Sequence, residues 1–206
     1  MKACEAALPM LRLIHSLPRS FYARPTLHVA RELIGKVLVH ESLSGHTAGI
    51  VVEVEAYIGE NDPACHASTG FTRRNAPLYG PPGRAYVYLN YGVHHLVNVV
   101  TEAEGYPAAV LLRAVEPLHG FDLMRRRRND SVGSINDLCR GPGKLSQAFG
   151  IAHSKNRQDF TGQRLYIADY GVTRQVIWTS RIGIRVGVNR RWRCYASDSL
   201  AVSGHY

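Results

Sequence analysis

Residues 83–98 read GRAYVYLNYGVHHLVN, and this stretch predicts a β-hairpin. Residues 84–89 alternate polar or aromatic side chains with aliphatic ones, which is the pattern of a strand with one buried face. Residues 90–92, Asn-Tyr-Gly, are typical of a turn, and residues 93–100 return as a second strand. Tyr91 therefore lies at the tip of the hairpin, where a large aromatic side chain has little core to enter.

Two further strands precede the hairpin. Residues 36–41 and 48–56 are rich in β-branched side chains, and a polar turn over residues 42–46 joins them. Glu53 and Glu55 share one face of the second strand, because side chains alternate along a strand. A lone glutamate on a strand is normally solvated, but these two are flanked by valine and alanine. A carboxylate in a desolvated setting suits a general base, and the residues alone do not decide between the two.

The remaining pattern indicates one α/β domain of the α+β kind. Residues 59–83 have little periodicity and several Pro and Gly, so we expect a long ordered loop, a type of segment that is usually functional. The other predicted elements are helices over residues 26–35, 121–127 and 143–149 and strands over residues 110–115, 182–186 and 192–196.

Composition excludes several classes of protein. A chain of 206 residues with 45% apolar and 20% charged residues fits one globular domain spanning residues 1–206, with residues 1–16 as a flexible N-terminus. No apolar run reaches the roughly 20 residues that cross a bilayer, so we expect no membrane partner. The N-terminal stretch resembles a signal peptide, but charged residues and a proline interrupt its apolar run. The four cysteines form no CxxC pair. A cytoplasmic protein without disulfide framework, zinc finger or cofactor is expected.

The positive charge is distributed unevenly along the chain. Residues 1–120 carry ten basic and ten acidic side chains, whereas residues 121–206 carry fifteen and six, which accounts for the whole net charge of +9. Arginine, whose planar fork suits phosphate, supplies 21 of the 25 basic residues. This balance favours a nucleic-acid partner, although charge alone does not decide against a generic basic protein.

Tyr57 and His66 follow the two glutamates in sequence, and further tyrosines lie in the predicted hairpin. Tyr86 and Tyr88 share one side of their strand, a position usually occupied by core residues. His66 follows a cysteine, but its candidate co-ligands have no recognised metal-site spacing. A metal-dependent hydrolase therefore remains a minor alternative, which bound zinc and sensitivity to a chelator would reveal.

Several motifs together resemble the 3-methyladenine DNA glycosylase family of the alkyladenine type, in its bacterial form. The resemblance spans about Leu17–Gly150 and becomes weaker after it. The motifs are LPRSFY at 17–22, VEVEAY at 52–57, His66, Arg74-Asn75, the hairpin stretch 83–98, LLRA at 111–114, EPL at 116–118 and GPGKL at 141–145.

The resemblance implies both a fold and an activity. We expect a curved antiparallel sheet with peripheral helices and a protruding hairpin that intercalates into DNA. Enzymes of this family excise alkylated or deaminated purines in base excision repair, and the base must be flipped out of the duplex because its C1′ atom is otherwise inaccessible. The chain contains no lysine between Lys36 and Lys144, which disfavours a Schiff base and predicts hydrolysis by water without strand cleavage. The expected partner is duplex DNA containing a damaged purine, bound by a monomer.

The resemblance also assigns roles to residues. Glu55, not Glu53, matches the catalytic residue that activates water, and Arg113 matches a position at the same water and the DNA backbone. Tyr91 matches the intercalating tyrosine. The base pocket maps to Tyr57, Ala64, His66, Tyr88 and Asn98, and the candidates for DNA-backbone contact are Arg74, Arg84, Arg125, Arg126 and Lys144. The alternative from another class is a non-catalytic nucleic-acid-binding domain of related sheet architecture, which has no need of a desolvated carboxylate.

Overall fold

The computed structural model describes residues 16–130 and 132–204, so nearly all of the expected flexible N-terminus lies outside the described residues. Within these ranges the chain forms an α+β domain. The helices are α1 (Arg19–Tyr22), α2 (Thr26–Leu33), α3 (Phe121–Arg127) and α4 (Pro142–Phe149). The strands are β1 (Val37–Ser42), β2 (Gly45–Ile58), β3 (Ala85–Asn90), β4 (His94–Val100), β5 (Ala108–His119), β6 (Leu165–Ala168), β7 (Val176–Thr179) and β8 (Arg193–Ala196).

Strand β2 organises the sheet, whose main order is β3-β4-β5-β2-β1-β6 with every pairing antiparallel. One edge of β2 pairs with β5 along most of its length. The other edge pairs first with β1, over residues 45–50, and then with β8, over residues 53–55. Irregularities in the β2–β5 register increase the local twist and bend β2 between these two halves. The sheet therefore curls.

The structure confirms the predicted hairpin as β3 and β4, which pair from Ala85–Val99 to Asn90–His94. The long loop after β2 is also confirmed, and it contains short 3-10 turns at His66–Thr69 and Ala76–Tyr79. The predicted strand over residues 182–186 is wrong, because that segment is irregular and Gly183 has a φ of +76°. Strands β6 and β7 were not predicted, since each has four residues without a long alternating pattern.

Helices α2 and α4 cover the sheet with their apolar faces. In α2 the spacing of Val29, Ala30 and Leu33 gives one buried face, as the sequence predicts. Helix α4 packs on β4 and β5 so closely that a Cβ on Gly143 would lie 2.9 Å from the His94 ring. Its first residue, Pro142, is thereby brought to the hairpin end of the sheet. No described helix is long and apolar enough to span a bilayer.

Candidate active site

A cavity of about 370 Å³ opens where β2, the following loop and the hairpin meet. This volume lies within the usual range for small-molecule pockets, roughly 300 to 1,000 Å³. Its walls are mostly aromatic and aliphatic, with a few polar groups. The lining residues used below are Tyr57, Ala64, His66, Tyr86, Tyr88, Tyr91, Asn98, Arg113, Pro142 and Ile182.

One wall is a cluster of three rings from two elements. The His66 ring packs against Tyr88 with centroids 4.5 Å apart, and Tyr86 lies 5.3 Å from Tyr88. The His66 Nδ1 atom and the Tyr86 hydroxyl are hydrogen-bonded at 2.7 Å. The loop is held in this position by Asn75, whose side-chain amide donates to the carbonyls of His66 and Gly70. The loop part of the pocket wall is therefore held in place by hydrogen bonds.

The ionisable groups of this wall are uncharged near neutral pH. Burial lowers the pKa of His66, and the positive charge of Arg74 lowers it further. Burial raises the pKa of Tyr88 to about 12, with Glu55 contributing in the same direction. The pKa of Tyr57 is also raised, by burial and then by Glu55. Tyr57 therefore keeps its proton and can donate a hydrogen bond.

Glu55 lies behind the cavity, and its side chain has no exposed surface. The Ile182 backbone N–H donates to its Oε1 at 2.7 Å, and the Tyr57 hydroxyl donates to its Oε2 at 2.8 Å. Arg113 Nη1 lies 3.2 Å from Oε1. All three partners line the cavity, so the carboxylate is held in a defined orientation directly beside it.

Glu53, on the same face of β2, has a different environment. Its carboxylate accepts hydrogen bonds from Arg113 Nε at 2.9 Å, Arg193 Nε at 2.6 Å and both the backbone N–H and the hydroxyl of Ser203. Desolvation alone lowers the pKa of Arg113, but Glu55 and Glu53 more than offset this, so its pKa is raised. Two carboxylates and two guanidiniums thus form a buried, charge-balanced network. Among the Glu53 partners Arg113, Arg193 and Ser203, only Arg113 lines the cavity.

The other predicted pocket residues meet at the same cavity. Asn98 is 4% exposed, and its amide donates to the Tyr86 carbonyl at 3.0 Å. The Ala64 N–H donates to Asp62 Oδ1 at 3.3 Å, so this backbone donor already has a protein partner. Tyr91 is 89% exposed at the hairpin tip, with a φ of +49°. Its side chain projects from the rim of the cavity into solvent.

The predicted phosphate-contact residues are more dispersed. Arg74 is exposed and close enough to lower the pKa of His66. Lys144 is exposed in the first turn of α4, near the cavity. Arg84 already donates to the Arg157 carbonyl at 3.1 Å and lies 3.6 Å from Asp159. Arg125 and Arg126 are exposed on α3, which packs near the start of β2, at the end opposite Glu55.

Sequence reasoning missed the segment that completes the site. Ile182 provides a main-chain donor to Glu55, and the adjacent Arg181 forms a fully buried pair with Asp62. No local pattern marks these residues, because the donor belongs to the backbone and the ion pair joins positions 119 residues apart. Within residues 16–130 and 132–204, no three His, Cys, Asp or Glu residues are grouped as metal ligands.

Comparison with known proteins covers most of the chain. Residues 20–200 match the model of the family described as methylpurine-DNA glycosylase (MPG). A Methanocella arvoryzae protein named "Putative 3-methyladenine DNA glycosylase" is 46% identical, and the alignment covers 91% of this chain and 95% of the relative. A Salinibacter ruber protein of the same name is 48% identical over 91% of this chain and 96% of its own. The chain belongs to the methylpurine-DNA glycosylase family of DNA-repair hydrolases.

Proposed function

We propose that this protein is a monofunctional DNA glycosylase that flips alkylated or deaminated purines out of duplex DNA and hydrolyses their N-glycosidic bonds with water activated by Glu55. One observation carries the proposal. A fully buried carboxylate is held by three residues that all line an aromatic-walled cavity. A monomer is sufficient, since all of these groups belong to one chain.

The carboxylate serves two steps of the chemistry. As the glycosidic bond breaks, positive charge develops on the sugar, and a fixed negative charge beside it lowers the barrier. Glu55 also accepts a proton from the water that attacks C1′. Arg113 orients the carboxylate through the 3.2 Å contact and presents its guanidinium at the cavity, where the water and the DNA backbone meet.

The cavity suits a flat, electron-poor base. Alkylation at a purine ring nitrogen leaves a positive charge, which stacks favourably on the faces of Tyr57 and Tyr88. Stacking on aromatic side chains is worth about 1 to 3 kcal/mol per base, which offsets much of the cost of unstacking it from DNA. Asn98 is buried against the Tyr86 carbonyl and cannot swing away without losing that bond. In this proposal Asn98 rejects the 2-amino group of guanine.

The hairpin tip and the exposed basic side chains contact the DNA duplex. Tyr91 enters the gap that the flipped nucleotide leaves, since an aromatic side chain with 89% exposure gains stacking there that it lacks in the free protein. Phosphate contacts come first from Arg74 and Lys144 beside the cavity. Arg125 and Arg126 contact only DNA that continues towards α3. Arg84 contacts a phosphate only if it gives up its present protein partners.

Glu55→Gln tests the proposal against a non-catalytic DNA-binding domain. The assay is release of free base from methylated and inosine-containing duplexes, with EDTA present so that metal chemistry does not contribute. We expect release to fall by roughly 10²- to 10⁴-fold, the usual contribution of a general base, while affinity for lesion DNA stays close to wild type. Robust release by Glu55→Gln rejects the assignment. A wild-type protein that binds lesion DNA but releases no base favours the binding domain instead.

A further inference from the structure

The two groups that donate hydrogen bonds to Glu55 come from different parts of the chain, and Arg181 adjoins both of them. The Tyr57 hydroxyl donates to one carboxylate oxygen and the Ile182 N–H to the other. Arg181 directly precedes Ile182, and its guanidinium carbon lies 4.7 Å from the centroid of the Tyr57 ring. The position of both donors therefore depends on the position of Arg181.

Arg181 is held rigidly. Its side chain has no exposed surface, and its Nη1 and Nη2 donate to the two oxygens of Asp62 at 2.6 and 2.8 Å. Such a two-bond fork restricts orientation as well as distance. Nη1 also donates to the Ala56 carbonyl at 3.0 Å, between Glu55 and Tyr57 in sequence. The Trp192 ring lies 5.2 Å from the guanidinium carbon.

Asp62 extends the same arrangement to the base pocket. Its oxygens accept from the Ile58 N–H at the end of β2 and from the Ala64 N–H, both at 3.3 Å. Ala64 lines the cavity and lies two residues before His66. One buried pair thus joins the end of β2, the pocket loop and the segment that contacts Glu55.

Stability alone does not account for this pair. Burying two charges costs desolvation that their attraction often fails to repay, and well-packed apolar side chains are frequently as stable at such positions. An apolar pair could not place the Tyr57 and Ile182 donors with the same accuracy. We propose that Arg181 and Asp62 form a positioning pair that holds the Glu55 carboxylate in its reactive orientation. This inference rests on the proposed catalytic role of Glu55.

The test uses variants that limit misfolding. Arg181→Met alone removes the nearer cation of the buried Asp62 carboxylate and leaves Arg190 at 3.7 Å, so it is combined with Asp62→Asn, which removes that charge while keeping an amide oxygen. Arg181→Lys is the conservative variant, because it keeps the charge but loses the fork. Arg190→Met is the matched control. Arg190 lies 3.7 Å from Asp62 and 4.5 Å from the Trp192 ring, but its described contacts include neither Tyr57 nor Ile182.

Single-turnover release of base from a lesion duplex, with enzyme in excess, gives the rate, and a titration gives the affinity and the active fraction. We expect the double variant to lose roughly 10- to 100-fold in rate, the usual result of small misplacements, with affinity and active fraction near wild type. Arg181→Lys should recover part of this rate, and Arg190→Met should match wild type.

A double variant that releases base at the wild-type rate overturns the inference. So does a loss confined to affinity or active fraction, a lysine variant no faster than the double variant, or an equal loss in Arg190→Met. Glu55→Gln, measured in the same series, separates the two ideas. If Glu55→Gln is active, the proposed function fails; if it is inactive while the double variant is fully active, only the positioning role fails.

Discussion

Replacing Glu53 with glutamine should destabilise the fold far more than the same change at Glu55. The two glutamates are two residues apart on one face of β2, and both side chains are fully buried. Glu53 accepts bonds from two guanidiniums and from both polar groups of Ser203. An amide there removes the charge that pairs with Arg193 and Arg113, and its NH₂ group faces a donor.

The magnitude follows from these partners. Leaving buried charges without their counter-charge costs about 3 to 5 kcal/mol. For a domain of this size each kcal/mol lowers Tm by about 2 to 4 °C, so Glu53→Gln should lose roughly 6 to 20 °C. In Glu55→Gln the amide oxygen can still accept from Ile182, and the Tyr57 hydroxyl can rotate to accept from the amide. Arg113 also keeps its bond to Glu53. We expect a cost of about 1 kcal/mol.

Thermal unfolding followed by circular dichroism, paired with base release at low temperature, separates the two effects. Glu53→Gln should melt early yet release base while folded, and Glu55→Gln should melt near wild type without releasing base. The conservative variant Glu53→Asp, which keeps the charge but shortens the side chain, is the control and should lie between wild type and Glu53→Gln in Tm. Equal loss of Tm in the two glutamine variants would refute the reasoning, because it would give both carboxylates the same structural role.

Two further predictions concern the hairpin and the core. Tyr91→Ala should slow release from duplex more than from single-stranded substrate, and a mismatch opposite the lesion should restore part of the rate; equal slowing on both substrates would contradict intercalation. Burial lowers the pKa of His40 below the ordinary 6.5, so the unfolded chain binds its proton first and stability falls as the pH drops below about 6.5. The slope can reach about 1.4 kcal/mol per pH unit. Urea unfolding at pH 5.5 and 7.5 should show this loss, and His40→Asn should reduce it; an unchanged slope would exclude His40 as its source.

The sheet around the hairpin was predictable because its signals are local. Alternation over β2 and β3 identifies strands within a few residues, and an Asn-Tyr-Gly turn identifies the hairpin that joins β3 to β4. The segment over residues 182–186 was misassigned for the same reason. Its isoleucines alternate with Gly and Arg as in a strand, but Ile182 and Ile184 line the cavity instead of pairing in the sheet.

The roles of the two glutamates could not be separated from local pattern. Glu53 and Glu55 have the same residue type and lie on the same face of β2, and they differ in contacts with residues near the end of the chain. Arg193 and Ser203 are 140 and 150 residues from Glu53, and Ile182 is 127 residues from Glu55. Spacing within β2 contains no information about these contacts. The family resemblance favoured Glu55, and the geometry supplies a physical reason for that choice.

Ion pairs formed on folding reduce the excess positive charge that the C-terminal residues can present to DNA. The C-terminal residues carry the whole excess, but several of their arginines pair with acidic residues of the neutral N-terminal part. Arg174 binds Glu116, Arg181 and Arg190 bind Asp62, and Arg193 binds Glu53. Each of these acidic residues removes a positive charge from the C-terminal surface. Basic residues of the neutral N-terminal part, such as the exposed Arg74, therefore supply a larger share of the positive charge that binds DNA. Neutralising Arg74 should consequently reduce the salt dependence of DNA binding at least as much as neutralising Arg125, which lies near the opposite end of β2.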